Sequence, residues 1–173
     1  MKKLLVMALV MAAVFALAEI NLSVFGGYAF TITSTPVDAA SASYFDVTLD
    51  LTYGISDQFD AGVGVGFAYF FDSVATELIN ASQNAFTLDI FAVGKYSIDI
   101  DDNSKVVMRV FGGVSIPEFN FKSLGYVFGA GAFYSRRYEG MRIGLGASVE
   151  MRNYGEGRSM TSIPVGVRID VNF

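Results

Sequence analysis

The groups in this chain that could do chemistry are carboxylates, amines and guanidinium groups, because its 173 residues include no cysteine and no histidine. Without cysteine there is no disulfide, no thiolate metal site and no cysteine nucleophile. Without histidine the chain lacks the most common general base and the most common metal ligand. We therefore expect no catalytic residue, no metal ion and no cofactor.

Three short motifs have a formal likeness to binding sites. The glycine spacing of residues 62–66 (GVGVG) is that of a phosphate loop, but such a loop joins a strand to a helix, and these glycines alternate within one apolar segment. Residues 80–82 (NAS) match the acceptor pattern for glycosylation, which is too short to be informative alone. Residues 99–103 (DIDDN) could bind Ca²⁺ weakly, but they lack the later glycine and bidentate glutamate of a complete calcium loop. We interpret the first motif as strand packing and the last as a solvated turn.

Charged side chains at alternate positions of otherwise apolar segments are the main candidates for a functional site. They are Asp46, Asp50, Asp60, Asp89, Lys95, Lys105, Arg109, Arg142, Glu150, Arg152, Arg168 and Asp170. Their charges balance, which favours pairs that neutralise one another over a pore lining of one sign. We predict an internal polar network in which Asp50, Arg109 and Arg168 form one cluster across the interior.

The elements that position these charges follow from a period of two. From Ile20 to Phe173, apolar residues recur at every second position in eight segments, which is the pattern of strands with two unlike faces. One face carries no charge, whereas the other is rich in glycine, threonine and serine and holds the charged residues. The interior of an eight-stranded barrel is about filled by its own side chains, so the bulky apolar face must point outward. The sequence predicts an all-β fold, an eight-stranded antiparallel up-and-down transmembrane β-barrel.

The connections between these segments alternate in length, as they do in outer-membrane barrels. Longer connections are predicted at residues 34–43, 72–85, 117–123 and 153–162, and shorter turns at residues 56–58, 98–103 and 135–140. The longest connection contains Val74, Leu78 and Ile79, which we predict to be a contact surface for an external partner. Both termini are expected on the side of the short turns.

The first residues have the composition of a secretory signal peptide. Two lysines at positions 2 and 3 precede an uncharged stretch, Leu4 to Ala18, that ends in small residues. Those fifteen residues would span only ~22 Å as a helix, too short for a hydrocarbon core of about 30 Å. We predict that residues 1–18 are a signal peptide cleaved before Glu19, and that residues 19–173 are the barrel.

The last predicted strand, residues 165–173 (VGVRIDVNF), has alternating apolar residues and ends in phenylalanine. In this feature, and in its eight segments, the chain resembles the small outer-membrane barrels of diderm bacteria, the group of OmpA, OmpX and the opacity proteins. The resemblance implies that Val167, Ile169, Val171 and Phe173 form an assembly signal. It also implies a barrel embedded in outer-membrane lipid, with the barrel-assembly machinery and periplasmic chaperones as partners. Enzymes with outer-membrane barrels use a histidine, which this chain lacks.

The function expected from this resemblance is a structural or surface-contact role for a monomer with a lumen that does not conduct. A narrow channel or transporter for small solutes is the alternative. An adhesin is less favoured because the predicted loops are short. The formal net charge of −5, with no cluster of lysine and arginine, disfavours nucleic acid as a partner.

Overall fold

Strand structure extends through most of the chain in the computed structural model, which describes residues 20–172. The predicted signal peptide, Glu19 and Phe173 lie outside the described residues. The described elements are β1 (Ile20–Thr35), β2 (Tyr44–Gly54), β3 (Phe59–Phe70), α1 (Ala75–Ile79), β4 (Phe86–Asp99), β5 (Ser104–Pro117), β6 (Gly125–Tyr138), β7 (Met141–Gly155) and β8 (Arg158–Asn172). No helix within residues 20–172 has the length and apolarity needed to cross a membrane.

The eight described strands form a closed barrel. Each strand pairs antiparallel with the next along the chain, and β1 pairs with β8 to close the cylinder. Closure leaves no strand in this part of the chain with an unpaired edge, so the backbone groups of the sheet are satisfied without water. The predicted up-and-down topology is confirmed.

The two faces of the sheet point in the predicted directions. Large apolar side chains such as Val63, Phe128 and Leu145 are exposed on the outer surface, whereas Asp89 and Arg152 are buried in the lumen. A water-soluble protein rarely exposes a contiguous apolar surface of this extent. The outer surface is therefore suited to hydrocarbon.

The two ends of the barrel differ in their connections. The turn end has the short connections at residues 55–58, 100–103 and 139–140 together with the described ends of β1 and β8. The loop end has L1 (residues 36–43), L2 (residues 71–85, including α1), L3 (residues 118–124) and L4 (residues 156–157). These names are used below.

The predicted long loop at residues 153–162 is wrong. Strands β7 and β8 extend into this range from its two ends, to Gly155 and from Arg158, so that L4 connects them with only two residues. Gly155, Glu156 and Gly157 all have positive φ, at 74°, 52° and 78°. Glycine adopts this region without steric cost, so two glycines around Glu156 allow the chain to reverse within a tight turn. The predicted turn at residues 135–140 is also shorter, because β6 extends to Tyr138.

Glycines on the inner face make room for aromatic rings in the lumen. A Cβ atom on Gly64 would lie 2.2 Å from the ring of Phe91, and one on Gly129 would lie 2.3 Å from the ring of Phe111. Both distances are far below ordinary van der Waals contact. Each ring therefore occupies the space that a side chain at the paired position of the neighbouring strand would otherwise fill.

Replacing an inner glycine should destabilise the barrel. A Cβ on Gly113 would lie 2.0 Å from the carbonyl oxygen of Ile90, which belongs to the neighbouring strand and cannot rotate away. We expect Gly113→Ala to lower the free energy of unfolding by about 1–3 kcal/mol through overpacking. The measurement is urea-induced unfolding of the protein refolded in detergent micelles.

The matched control is Gly26→Ala on the outer face. A Cβ on Gly26 would have no atom within 4 Å, so the unfolding midpoint should not fall. Equal effects of the two substitutions would contradict the role assigned to the inner glycines.

Candidate functional site

The turn-side cluster is an ionic network in the half of the lumen nearer the turn end. It consists of Ser23, Asp50, Lys95, Arg109, Arg168 and Asp170, all of them buried. The guanidinium group of Arg109 donates two hydrogen bonds to the carboxylate of Asp50, both at 2.9 Å. The ammonium group of Lys95 lies 3.3 Å from the same carboxylate. Asp50 is therefore neutralised by cations from two other strands.

Ser23 connects the second ion pair of this cluster to the first. Arg168 donates to Asp170 at 2.8 Å, and the hydroxyl of Ser23 donates to the same carboxylate at 2.5 Å. The Ser23 hydroxyl also accepts hydrogen bonds from Lys95 at 2.8 Å and from Arg168 at 3.0 Å. The predicted cluster of Asp50, Arg109 and Arg168 therefore exists, but Arg168 joins it through Ser23 and Lys95 and is paired with Asp170.

The loop-side cluster is a second network, formed by Tyr44, Asp89, Glu150, Arg152 and Ser162. Arg152 lies 2.6 Å from Asp89 and 3.3 Å from Glu150. The hydroxyl of Tyr44 donates to Glu150 at 2.9 Å and lies 2.7 Å from the hydroxyl of Ser162. The guanidinium carbon of Arg152 is 5.0 Å from the centre of the Tyr44 ring, within the range of a cation–π contact. One arginine thus joins side chains from β2, β4 and β7.

The charges are not evenly distributed along the lumen. Asp46 lies in the loop-side half with only 1% of its surface exposed, and neither of its carboxylate oxygens has a hydrogen-bond partner within the described residues. Among the buried charges, the loop-side half therefore has three carboxylates and one guanidinium group, whereas the turn-side half has three cations and two carboxylates. The predicted balance of acidic and basic side chains therefore holds approximately for the whole lumen but not for each half.

Three of the predicted network residues, Asp60, Lys105 and Arg142, are only partly buried. Asp60 and Lys105 line a cavity of about 340 Å³ near the turn end, together with residues of the turn-side cluster. Arg142 donates a hydrogen bond to the backbone carbonyl of Asn103 at 3.3 Å. None of the three forms an ion pair within residues 20–172. This end of the lumen is therefore a polar vestibule and not part of the packed network.

L2 packs into the loop end of the lumen. Leu78 and Ile79 of α1 are fully buried, because the short helix turns one apolar face into the mouth of the barrel. They belong to an apolar cluster, here called the loop-end cap, whose members are Ala29, Val37, Ala42, Tyr44, Ala68, Phe70, Ala75, Leu78, Ile79, Ala85, Tyr154 and Met160. The prediction that Leu78 and Ile79 form an external contact surface is therefore wrong. Val74 is 49% exposed and remains available for contact.

Glu118 of L3 holds L2 in place. Its carboxylate accepts hydrogen bonds from the backbone N–H groups of Ser82, Gln83 and Asn84, at 2.5 Å, 2.8 Å and 2.6 Å. These hydrogen bonds lower the pKa of the Glu118 carboxyl because they stabilise its ionised form, and the bond from Ser82 has the largest effect. No residue pattern in the sequence indicated this contact, since it joins two loops that are far apart in the chain.

The remaining predicted sites have simpler structural roles. The glycines of residues 62–66 lie within β3, and residues 99–103 form the end of β4 and a turn. Within residues 20–172, no group of three or more carboxylate side chains is placed to hold a metal ion. The lumen clusters are thus the main assembly of buried polar groups in the described structure.

Comparison with known proteins supports the fold. No family model matches this chain, and no curated protein matches it. Among solved structures, neisserial surface protein A (NspA) is similar, with 13% identity and a TM-score of 0.58 over 90% of this chain and 97% of that one. A de novo designed transmembrane β-barrel has 15% identity, a TM-score of 0.46 and coverages of 89% and 95%. The Yersinia pestis outer membrane protein Ail has 12% identity, a TM-score of 0.47 and coverages of 90% and 99%.

Breaking the Asp50–Arg109 pair should strongly destabilise the barrel. Arg109→Met leaves a buried carboxylate without its bidentate partner, so we expect a loss of about 3–5 kcal/mol in the free energy of unfolding. The double variant Asp50→Asn with Arg109→Met removes both charges of this pair and should recover part of that loss, because Lys95 loses its ion pair with Asp50 but keeps its hydrogen bond to Ser23. Urea unfolding in micelles measures both values.

Arg136→Met is the matched control, because Arg136 is exposed at the turn end and forms no ion pair within the described residues. Its effect should lie within about 0.5 kcal/mol. The assignment of a coupled pair fails if Arg109→Met matches this control, or if the two substitutions in the double variant are simply additive.

The contact between L2 and L3 should depend on pH. Because the pKa of Glu118 is lowered below its ordinary value of 4.5, the stabilisation is fully present above that value and is lost as the pH falls through the folded-state pKa. NMR amide shifts of Ser82, Gln83 and Asn84 should move together between about pH 6 and pH 2. Glu118→Gln should remove this common transition, and its persistence in that variant would assign the transition to another group.

Proposed function

We propose that this chain is an integral protein of the bacterial outer membrane whose barrel is closed to solutes and whose loop end makes surface contacts. The observation that carries the proposal is the filled lumen. The turn-side cluster, the loop-side cluster and the loop-end cap succeed one another along the barrel. Eight strands leave little interior space beyond that of their own side chains.

An outer-membrane location is supported by the direction of the two faces. An apolar outer surface and a sheet without free edges suit a protein that spans hydrocarbon as a barrel. The fold shared with NspA is consistent with this location. Export would use residues 1–18 as the cleaved signal peptide, which places the turn end in the periplasm and the loop end outside the cell.

A closed lumen is supported by the energetics of the ionic clusters. The guanidinium carbon of Arg109 lies 5.1 Å and 4.2 Å from the ring centres of Phe91 and Phe111 while the group binds Asp50. Moving it aside would break a buried ion pair and two cation–π contacts together. A solute could not pass without disrupting this packing, so we propose a structural plug and not a selectivity filter.

The C-terminal strand β8 carries the residues that we expect the assembly partners to bind. Val167 and Ile169 point outward and are exposed, Val171 is partly exposed, and Phe173 lies outside the described residues. We propose that these four residues form the signal bound by the barrel-assembly machinery after delivery by periplasmic chaperones. Because β8 is paired with β1 in the folded barrel, the signal must be bound before closure. Because one chain closes its own sheet, the barrel needs no strand from a second copy, which favours a monomer in lipid.

A narrow transport role is the second candidate, and the vestibule at the turn end favours it. The cavity of about 340 Å³ is lined by Asp60, Lys95 and Lys105 and could admit a small polar solute from that side. Transport would require a path past Asp50 and Arg109. An adhesive role would depend on the loops, where Val74 is among the exposed apolar residues.

Planar bilayer recording tests the closed lumen. The protein should be expressed in a diderm host, recovered from the outer-membrane fraction and checked for folding by its gel mobility with and without boiling. We expect no stable conductance steps, because the ionic clusters fill the lumen. Deletion of residues 75–82 removes α1 but leaves both clusters, and this variant should also fail to conduct.

Reproducible steps from the native protein would refute the closed lumen and favour transport. Steps from the deletion variant alone would show that the loop-end cap, and not the ionic clusters, closes the barrel. Recovery of the folded protein from a soluble fraction would contradict the proposed location.

A further inference from the structure

We propose that L3 lies against the membrane lipid at the loop end, with Phe119 and Phe121 in contact with acyl chains. This proposal rests on the proposed function, because it requires the barrel to span the outer membrane. It assigns L3 a lipid partner, which distinguishes it from L2, the loop that closes the lumen.

A ladder of aromatic rings leads from the strand surface into L3. Phe67 and Phe86 face outward on β3 and β4, and their ring centres are 5.5 Å apart in a stacked arrangement. The ring of Phe119 continues the ladder, 5.2 Å from that of Phe86. The backbone N–H of Glu118 donates to the carbonyl of Phe86 at 3.2 Å, which fixes the loop beside this strand. Phe119 therefore extends the lipid-facing surface beyond the end of β5.

The burial of Ile116 indicates that the chain folds over the outside of the barrel at this point. Ile116 pairs with Leu88 in an uninterrupted register and lies on the outward-facing side of β5 by strand alternation. Its exposure is nevertheless only 1%. L3 begins two residues later, and the contact of Phe119 with Phe86 brings it onto the same outer surface, so we infer that L3 contributes to this cover.

The backbone of L3 is held in an uncommon conformation. Glu118 and Phe119 are consecutive residues with positive φ, 47° and 58°, a backbone conformation that residues other than glycine rarely adopt. The hydrogen bonds from residues 82–84 to the Glu118 carboxylate hold the first of them. This conformation leaves Phe119 and Phe121 55% and 68% exposed. Contact with water would be unfavourable for both rings, whereas contact with acyl chains is favourable.

The composition of L3 suits the boundary between hydrocarbon and headgroups. Aromatic rings concentrate at this depth in membrane proteins, and a lysine near it extends its ammonium group to the headgroups. Lys122 follows Phe121 directly and is exposed. L3 therefore pairs an apolar contact for acyl chains with a cation at the level of the lipid phosphates.

Tryptophan fluorescence can test this proposal without background, because the chain contains no tryptophan. Phe121→Trp is introduced into the full chain, which is folded into phosphatidylcholine vesicles with or without brominated acyl chains. We expect strong quenching by the brominated lipid and protection from acrylamide in water. Phe119→Trp should give the same result and serves as a second variant if Phe121→Trp fails to fold, as judged by gel mobility.

Two control variants show how a tryptophan behaves in lipid and in water. Phe128→Trp, on the outer face of β6 and 56% exposed in the native chain, should be quenched by brominated lipid; if it is not, the spanning barrel itself is wrong. Val74→Trp in L2 should be quenched by acrylamide. If the tryptophan in L3 behaves like the one in L2 while Phe128→Trp reports lipid, the lipid contact of L3 is refuted and the loop faces water, where a protein partner could bind it.

Discussion

The constraint on which this structure depends is that backbone N–H and C=O groups in hydrocarbon must find partners within the protein. A sheet satisfies it only when its edges meet, and the pairing of β1 with β8 closes the sheet here. Closure with eight strands produces a narrow lumen. The inner glycines follow from that narrowness, because a side chain at Gly113 would collide with the backbone of the next strand. Strand pairing thus determines which residue sizes the interior accepts.

The narrow lumen also explains why its charges are paired. A charge in a space with little water is costly unless an opposite charge and hydrogen bonds compensate it. Arg109 with Asp50, and Arg152 with Asp89, meet this requirement through direct contacts across the lumen. Asp46 does not, since its oxygens have no partner within the described residues. The buried groups toward the turn end thus comprise three cations and two carboxylates, whereas those toward the loop end comprise three acidic side chains and one guanidinium group.

At the loop end, the loops have two different tasks. L2 folds inward and buries Leu78 and Ile79 in the mouth of the barrel, whereas L3 carries Phe119 outward onto the aromatic surface of β4. Glu118 connects the two loops, because its carboxylate belongs to L3 and the backbone N–H groups that donate to it belong to L2. A single side chain between two loops thus connects the packing of L2 in the mouth of the barrel to the position of the outer aromatic surface.

The sequence by itself determined the strand number, the direction of the two faces and the residues that point into the lumen. Alternation is a local property, so each strand reveals its inward residues without knowledge of its neighbours. Only the tertiary structure decided that Arg168 pairs directly with Asp170 and is linked to Asp50 through Ser23 and Lys95. It also decided that L4 is a two-residue turn and that Leu78 and Ile79 are buried. These features depend on the stagger of strands around the barrel and on loop paths, which place residues distant in the chain at the same depth. No periodic pattern within one segment contains that information.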